Sequence, residues 1–228
     1  MNAEPGQARL DHVILLAASL EQGLDWCHAR LGVRPTSGGA HPLMGTHNRL
    51  LRIDAPAFPD AYFEIIAIQP GVAHRRPAGA RRWFDLDDPG LQAQLATHGP
   101  QIAHWVVRVP NVQAAVAAWL ALGIDCGPVI AASRQTPQGL LQWRMAVRDD
   151  GRRLFDGALP SLIEWGARHP VQDMPESGIH LSDLQITHPQ APALNRAYSA
   201  IGLDQLEVGD RAFGIHAQLQ MPHGSVTL

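Results

Sequence analysis

Strand-like and helix-like stretches occur twice in the same order along this chain, and that repetition limits the folds open to it more than any other feature. "LDHVILLAA" (10–18) is a short run of branched and aliphatic residues, as in a buried strand. It passes into "SLEQGLDWCHARLG" (19–32), where Leu20, Leu24, Cys27 and Leu31 recur at helical spacing. Ser19 and Gln22 fit a capping box there, and Gly32 supplies a C-terminal stop. A short strand near Val33, a glycine-rich loop and the strands "HNRLLRI" and "AYFEIIAI" (61–68) complete a βαβββ order. A polar stretch rich in Arg, Pro and Asp (70–90) and a short helix over "LQAQLATHG" intervene before the order returns. Its second copy is "IAHWVVRV" (102–109), a helix capped by Asn111, "PVIAAS", "GLLQWRMAV" (139–147) and "SLIEW" (161–165). A shorter echo follows in "IHLSDLQITHP" (179–189), "APALNRAYSAIG", "AFGIHAQLQM" and "GSVTL". The expected class is α+β, with paired βαβββ modules over 8–70 and 100–168 and a partial third βαββ unit over 178–228. That last unit is expected to cover an open sheet edge.

The two full copies carry the same residue types at matching strands. His12 lies in the first strand and Glu64 in the last strand of the first copy; His104 and Glu164 stand in the corresponding strands of the second. A pseudo-two-fold would bring these four to one axis, and imidazole nitrogen with carboxylate oxygen suits a divalent ion such as Zn, Ni, Mn, Co or Fe. Taken singly, each histidine also fits a hydrogen-bonded core residue, and each glutamate a solvent-facing strand position.

Composition closes other routes. A formal net charge of −3 without a basic run argues against nucleic-acid or membrane-surface partners. The nearest approach to a basic cluster, "HRRPAGARR" (74–82), reads as a solvated linker or an anion-facing flap. All 18 basic residues are arginine, which removes lysine Schiff-base and P-loop chemistry. Cys27 and Cys126 are too few for a disulfide framework and read as buried thiols. "MNAEPGQAR" has no apolar signal core, and no stretch approaches the ~18 apolar residues of a membrane span. A cytoplasmic protein with a small-molecule substrate is expected, and a homodimer remains open.

The strand "LDHVILLA", "LGV", "GGAHPLMGTHNRL" and "AYFEIIAI" together resemble the glyoxalase-like domain of the vicinal oxygen chelate superfamily. That group includes glyoxalase I, extradiol dioxygenases and bleomycin-resistance proteins. The resemblance is close over the first module, moderate over the second through "PQGLLQWRM" and "LPSLIEWGARHP", and partial beyond. It implies sheets curled into U-shaped half-barrels around a pocket, with metal ligands at the positions of His12, Glu64, His104 and Glu164.

Three functions remain open at this stage. One is a metal-dependent lyase or isomerase that binds vicinal oxygens and stabilises an enediolate, with Glu164 or Glu64 moving the proton and Glu164 preferred as base. The second is a metal-free binding protein of the resistance type, with aromatic walls and pocket carboxylates engaged by arginine. The third is an Fe(II) extradiol dioxygenase, which needs only two histidines and one carboxylate. Asn48, with His41 at the rim, is the expected substrate contact of the glycine-rich loop, if that loop is a cavity wall and not a plain turn. Trp143 and Arg144 are further candidates, although strand alternation lets only one of them face a pocket. Trp26, Trp83, Trp105, Trp119 and Trp165 are assigned to core and module contacts.

Overall fold

The computed structural model describes residues 7–228; residues 1–6, part of the segment read above for a signal core, lie outside the described residues. β1 (Arg9–Leu16) leads through α1 (Leu20–Leu31) to β2 (Ser37–His41), β3 (Thr46–Arg52) and β4 (Tyr62–Ile68). α2 (Pro89–His98) precedes β5 (Gln101–Arg108), α3 (Val112–Ala121), β6 (Val129–Thr136), β7 (Gly139–Ala146) and β8 (Ser161–Trp165). The chain ends with β9 (His180–Thr187), α4 (Ala191–Ala200), β10 (Val208–Gly209), β11 (Gly214–Met221) and β12 (Gly224–Thr227).

The first eight strands form one sheet in the order β2-β3-β4-β1-β5-β8-β7-β6, and the last four form another, β10-β9-β11-β12. The fold is α+β with curled, nearly barrel-like sheets. β1 and β5 run antiparallel at the centre, with Val13 opposite Trp105. Each also runs parallel to the last strand of its own half, β4 or β8. A two-fold through the Val13–Trp105 pair therefore exchanges His12 with His104 and Ile14 with Val106.

Alternation sorts these strands into two apolar layers. Val13, Leu15, Phe63, Ile65 and Trp105 face the convex side and meet Leu20, Leu24, Cys27 and Leu31 of α1 and Trp119 of α3. Ile14, Leu16, Ile66, Val106 and Ile163 face the concave side. The Ser19 hydroxyl accepts the Gln22 N–H at 3.1 Å, Asn111 accepts the Ala114 N–H at 3.0 Å, and Gly32 is left-handed with φ 72°.

Several expectations change. No strand forms at Val33; the glycine stretch itself is the strand β2, followed by a turn at 42–45. β10 was not foreseen. The third unit covers the convex face instead of a sheet edge: Trp119 Nε1 donates to Ala197 O at 2.7 Å, and the Tyr198 hydroxyl to Ala158 O at 2.6 Å. Its apolar residues Leu181, Leu184, Leu194 and Tyr198 are satisfied only against apolar surface, which that face offers. Most of the stretch 74–82 is exposed, as expected, but it is pinned at Arg76 and Ala80, and Trp83, Phe84 and Leu86 directly after it enter the concave core. Arg76 is buried beside them, donating to Arg148 O at 3.1 Å and to Asp149 at 2.7 Å. Among the described residues, no helix is long and apolar enough to cross a membrane.

Candidate functional site

β1 breaks its alternation near its start. Leu10 and Val13 both pack on the convex side, and pairing with β5 slips between Leu10 and His12. This bulge turns Asp11 and His12 together toward the concave side. There His12 Nδ1 lies 2.7 Å from Asp11 Oδ1, and Nε2 lies 3.2 Å from Glu64 Oε2 on the neighbouring strand β4. Glu64 Oε1 accepts from Asn48 Nδ2 of β3 at 2.5 Å, and Asn48 in turn is 3.3 Å from His41 Nε2. Asp11 Oδ2 accepts from Trp165 Nε1 at 2.9 Å and faces His169 Nε2 at 3.0 Å. Tyr62 stacks on the His12 ring with centroids 4.5 Å apart.

These groups are buried: Asp11 is 0 %, His12 5 % and Glu64 6 % exposed. Burial alone would lower the His12 pKa, yet the hydrogen bonds and charges of Asp11 and Glu64 outweigh it and raise the value to about 9. Burial would likewise raise both acids, but His169 and His12 hold Asp11 well below the carboxylate range, and His12, His41 and Asn48 hold Glu64 down. His12 is thus an imidazolium between two carboxylates. His41, dominated by burial, falls to about 4 and stays neutral.

A cavity opens onto His12, Glu64, Asn48 and His41, walled by Tyr62, Trp83, Phe84, Trp143 and Trp165. Trp83 and Trp165, assigned above to core and module contacts, are therefore cavity walls as well. The glycine loop is a wall too. Gly38 has φ 141°, and a Cβ there would stand 2.3 Å from Asn48 O; one at Gly39 would stand 2.8 Å from Nη1 of Arg134, which reaches across from β6. Arg134, Asp11, Tyr62 and His169 were missed in the sequence. Alternation argues against Asp11, and nothing local announces that β6 closes over β2.

The second half has diverged. Ile14 is level with Glu64, and its two-fold mate Val106 is level with Ser161. Ser161, not Glu164, is the structural counterpart of Glu64. Its Oγ is 2.9 Å from His104 Nε2, as Glu64 is bonded to His12, while His104 Nδ1 lies 3.2 Å from Gly157 O. Burial and Arg153 lower the His104 pKa to about 3, and Phe84 packs against the ring at 5.2 Å.

Glu164 sits on the opposite face of β8 from Ile163 and does not approach His12. One of its oxygens accepts the Val112 N–H at the start of α3 at 2.8 Å; the other pairs with Arg144. Arg144 is exposed on that outer face, whereas its neighbour Trp143 enters the cavity. The expected ligand set of His12, Glu64, His104 and Glu164 is accordingly not assembled. Among the described residues, no three His, Cys, Asp or Glu side chains are grouped so as to hold a metal ion.

Two βαβββ halves joined through β1 and β5 curl around the cavity that holds His12 and Glu64. The chain belongs to the glyoxalase-like domain family, which it matches over residues 10–202. Comparison with curated proteins finds no match. Among solved structures, a hypothetical protein from Staphylococcus aureus is similar with a TM-score of 0.56 and 13 % identity, over 96 % of this chain and 84 % of that one. A Streptomyces coelicolor methylmalonyl-CoA epimerase in complex with 2-nitronate-propionyl-CoA aligns at TM-score 0.42 and 17 % identity, over 71 % of this chain and 99 % of that one. A Mycobacterium tuberculosis methylmalonyl-CoA epimerase aligns at TM-score 0.39 and 17 % identity, over 76 % and 97 %.

Proposed function

We propose that this protein is a small-molecule enzyme of the isomerase or lyase type that moves a proton next to a carbonyl group, with Glu64 as base. The observation that carries this reading is the buried line Asp11–His12–Glu64–Asn48 opening into an aromatic cavity. Glu64 is ionised and fixed by two donors, and a carboxylate retains lone pairs for a third partner. As Glu64 takes the proton from the substrate carbon, the C–H pair becomes a C=C bond and the carbonyl π pair moves to oxygen. Once neutral, Glu64 releases its hold on the His12 Nε2–H, which can then turn to that oxygen. Asp11 keeps the imidazole charged and oriented throughout. Return of the proton to carbon or loss of a neighbouring leaving group completes an isomerisation or an elimination.

The test is exchange of substrate C–H for deuterium in D2O, followed by NMR over a panel of hydroxy-ketones and other acidic carbonyl compounds. Glu64→Gln is expected to slow exchange by roughly 10²–10⁴-fold while leaving binding in place. Exchange undiminished in that variant overturns the assignment. Stoichiometric Zn, Ni, Mn, Co or Fe in the purified protein, lost on His12→Ala, would restore the metal-dependent reading in place of this one.

A metal-free binding protein is the second reading, favoured by the five aromatic residues around the cavity. Ligands held without any exchange would select it.

A further inference from the structure

The acid–base reading leaves Arg134 unused. This residue stands on β6, one edge of the eight-stranded sheet, yet its guanidinium lies over Gly39 on β2, the other edge. A methyl group at Gly39 would stand 2.8 Å from Nη1 and 2.9 Å from Cδ, so a side chain at residue 39 would displace the guanidinium from this position. Its hydrogen bonding there is poor. Nη1 is 3.4 Å from Asn48 Oδ1, and the buried Nε has no partner among the described residues. Arg144, Arg148, Arg153 and Arg168 of the same half each pair with a carboxylate. Glu64, the cavity's own acid, gives its oxygens to His12 and Asn48.

A partly buried guanidinium with no ion-pair partner among the described residues, only the more distant charge of Glu64, is costly, and its planar fork of donors matches the two oxygens of a carboxylate or phosphate. Arg134 also forms part of two walls at once. One is that of the inner cavity; the other is that of an outer recess lined by Thr36, Ser37, Thr136 and Gln138. An oxyanion held at this boundary leaves the rest of its molecule pointing inward to Trp143 and Glu64. Asp11, Glu64 and the His12 imidazolium together carry one net negative charge, which the guanidinium of Arg134 balances.

We propose that Arg134, seated through the gap at Gly39, binds the carboxylate or phosphate group of the protein's small-molecule ligand, which is therefore an organic anion. This inference rests on the cavity being the functional site, not on the proton transfer assigned to it.

Calorimetric titration of phenylacetate, phenyl phosphate and neutral phenylacetamide tests it, the phenyl group being chosen for the aromatic walls. At least one of the two anions is expected to bind about tenfold or more tightly than the amide, and the better anion names the group. Arg134→Gln and Gly39→Ala should abolish that preference, and Arg134→Lys should keep part of it, with thermal melts verifying that each variant is folded. Anions that bind no better than the amide overturn the proposal, as does a preference that survives Arg134→Gln. Glu64→Gln should retain the anion preference. If Glu64→Gln leaves deuterium exchange intact while Arg134→Gln abolishes anion binding, the acid–base reading falls and the anion site stands. The reverse pattern removes the anion site alone.

Discussion

His12 meets a carboxylate at each ring nitrogen, Asp11 at Nδ1 and Glu64 at Nε2, and burial of all three makes the arrangement depend on the proton the ring carries. Its pKa is raised from 6.5 to about 9, so the stability it contributes is complete below pH 6.5 and is lost as pH rises through 9. Thermal melts followed by circular dichroism should show the midpoint falling across that window. His12→Gln should flatten this alkaline limb, and an unchanged limb would assign it elsewhere. In sequence, His12 and His104 are visible as repeat-matched residues and Asn48 as part of an unusual loop, whereas Glu64 is picked out by a match to Glu164 that the strand register replaces with Ser161. Asp11 is hidden because the period-two rule sends it to the other face from His12; only the bulge, which depends on pairing with β5, reverses that.

Glu164 belongs to the scale of the element. It accepts the Val112 N–H, one of the donors that an α-helix leaves unpaired in its first turn, and its charge lies at the positive end of α3. Glu164→Gln should lower stability by about 1 kcal/mol, read as a melting-point decrease of roughly 2–4 °C, and should leave deuterium exchange unchanged. A loss of exchange in a folded Glu164 variant would return this residue to the chemistry. The order of strands and helices was readable because apolar periodicity and caps are local: Ser19, Gly32 and Asn111 act where their positions suggest. The phase of β8 was not readable. "SLIEW" holds a serine and a glutamate three places apart, hence on opposite faces, and only its parallel register with β5 shows that the serine faces inward. For the same reason, the crossing of Arg134 from β6 to β2 cannot be seen from either strand by itself.

At the scale of the whole molecule, the third unit is docked on the back of the eight-stranded sheet through Trp119, which is fully buried and bonded to Ala197 O. Trp119→Ala should cost about 3–5 kcal/mol in urea unfolding, because it empties the joint between α3 and α4. A cost below about 1 kcal/mol would mean that the two parts are held together by other contacts. Across the two-fold, the exchange of a glutamate for Ser161 leaves one carboxylate where a symmetric pair could have stood. For the proton transfer proposed above, that has a stereochemical consequence. A lone acid on one wall can collect and redeliver hydrogen only along the same side of a planar enolate. Migration between adjacent carbons would then be suprafacial, and a chiral product would leave as a single enantiomer, its configuration set by which flank of the ligand lies toward the first half.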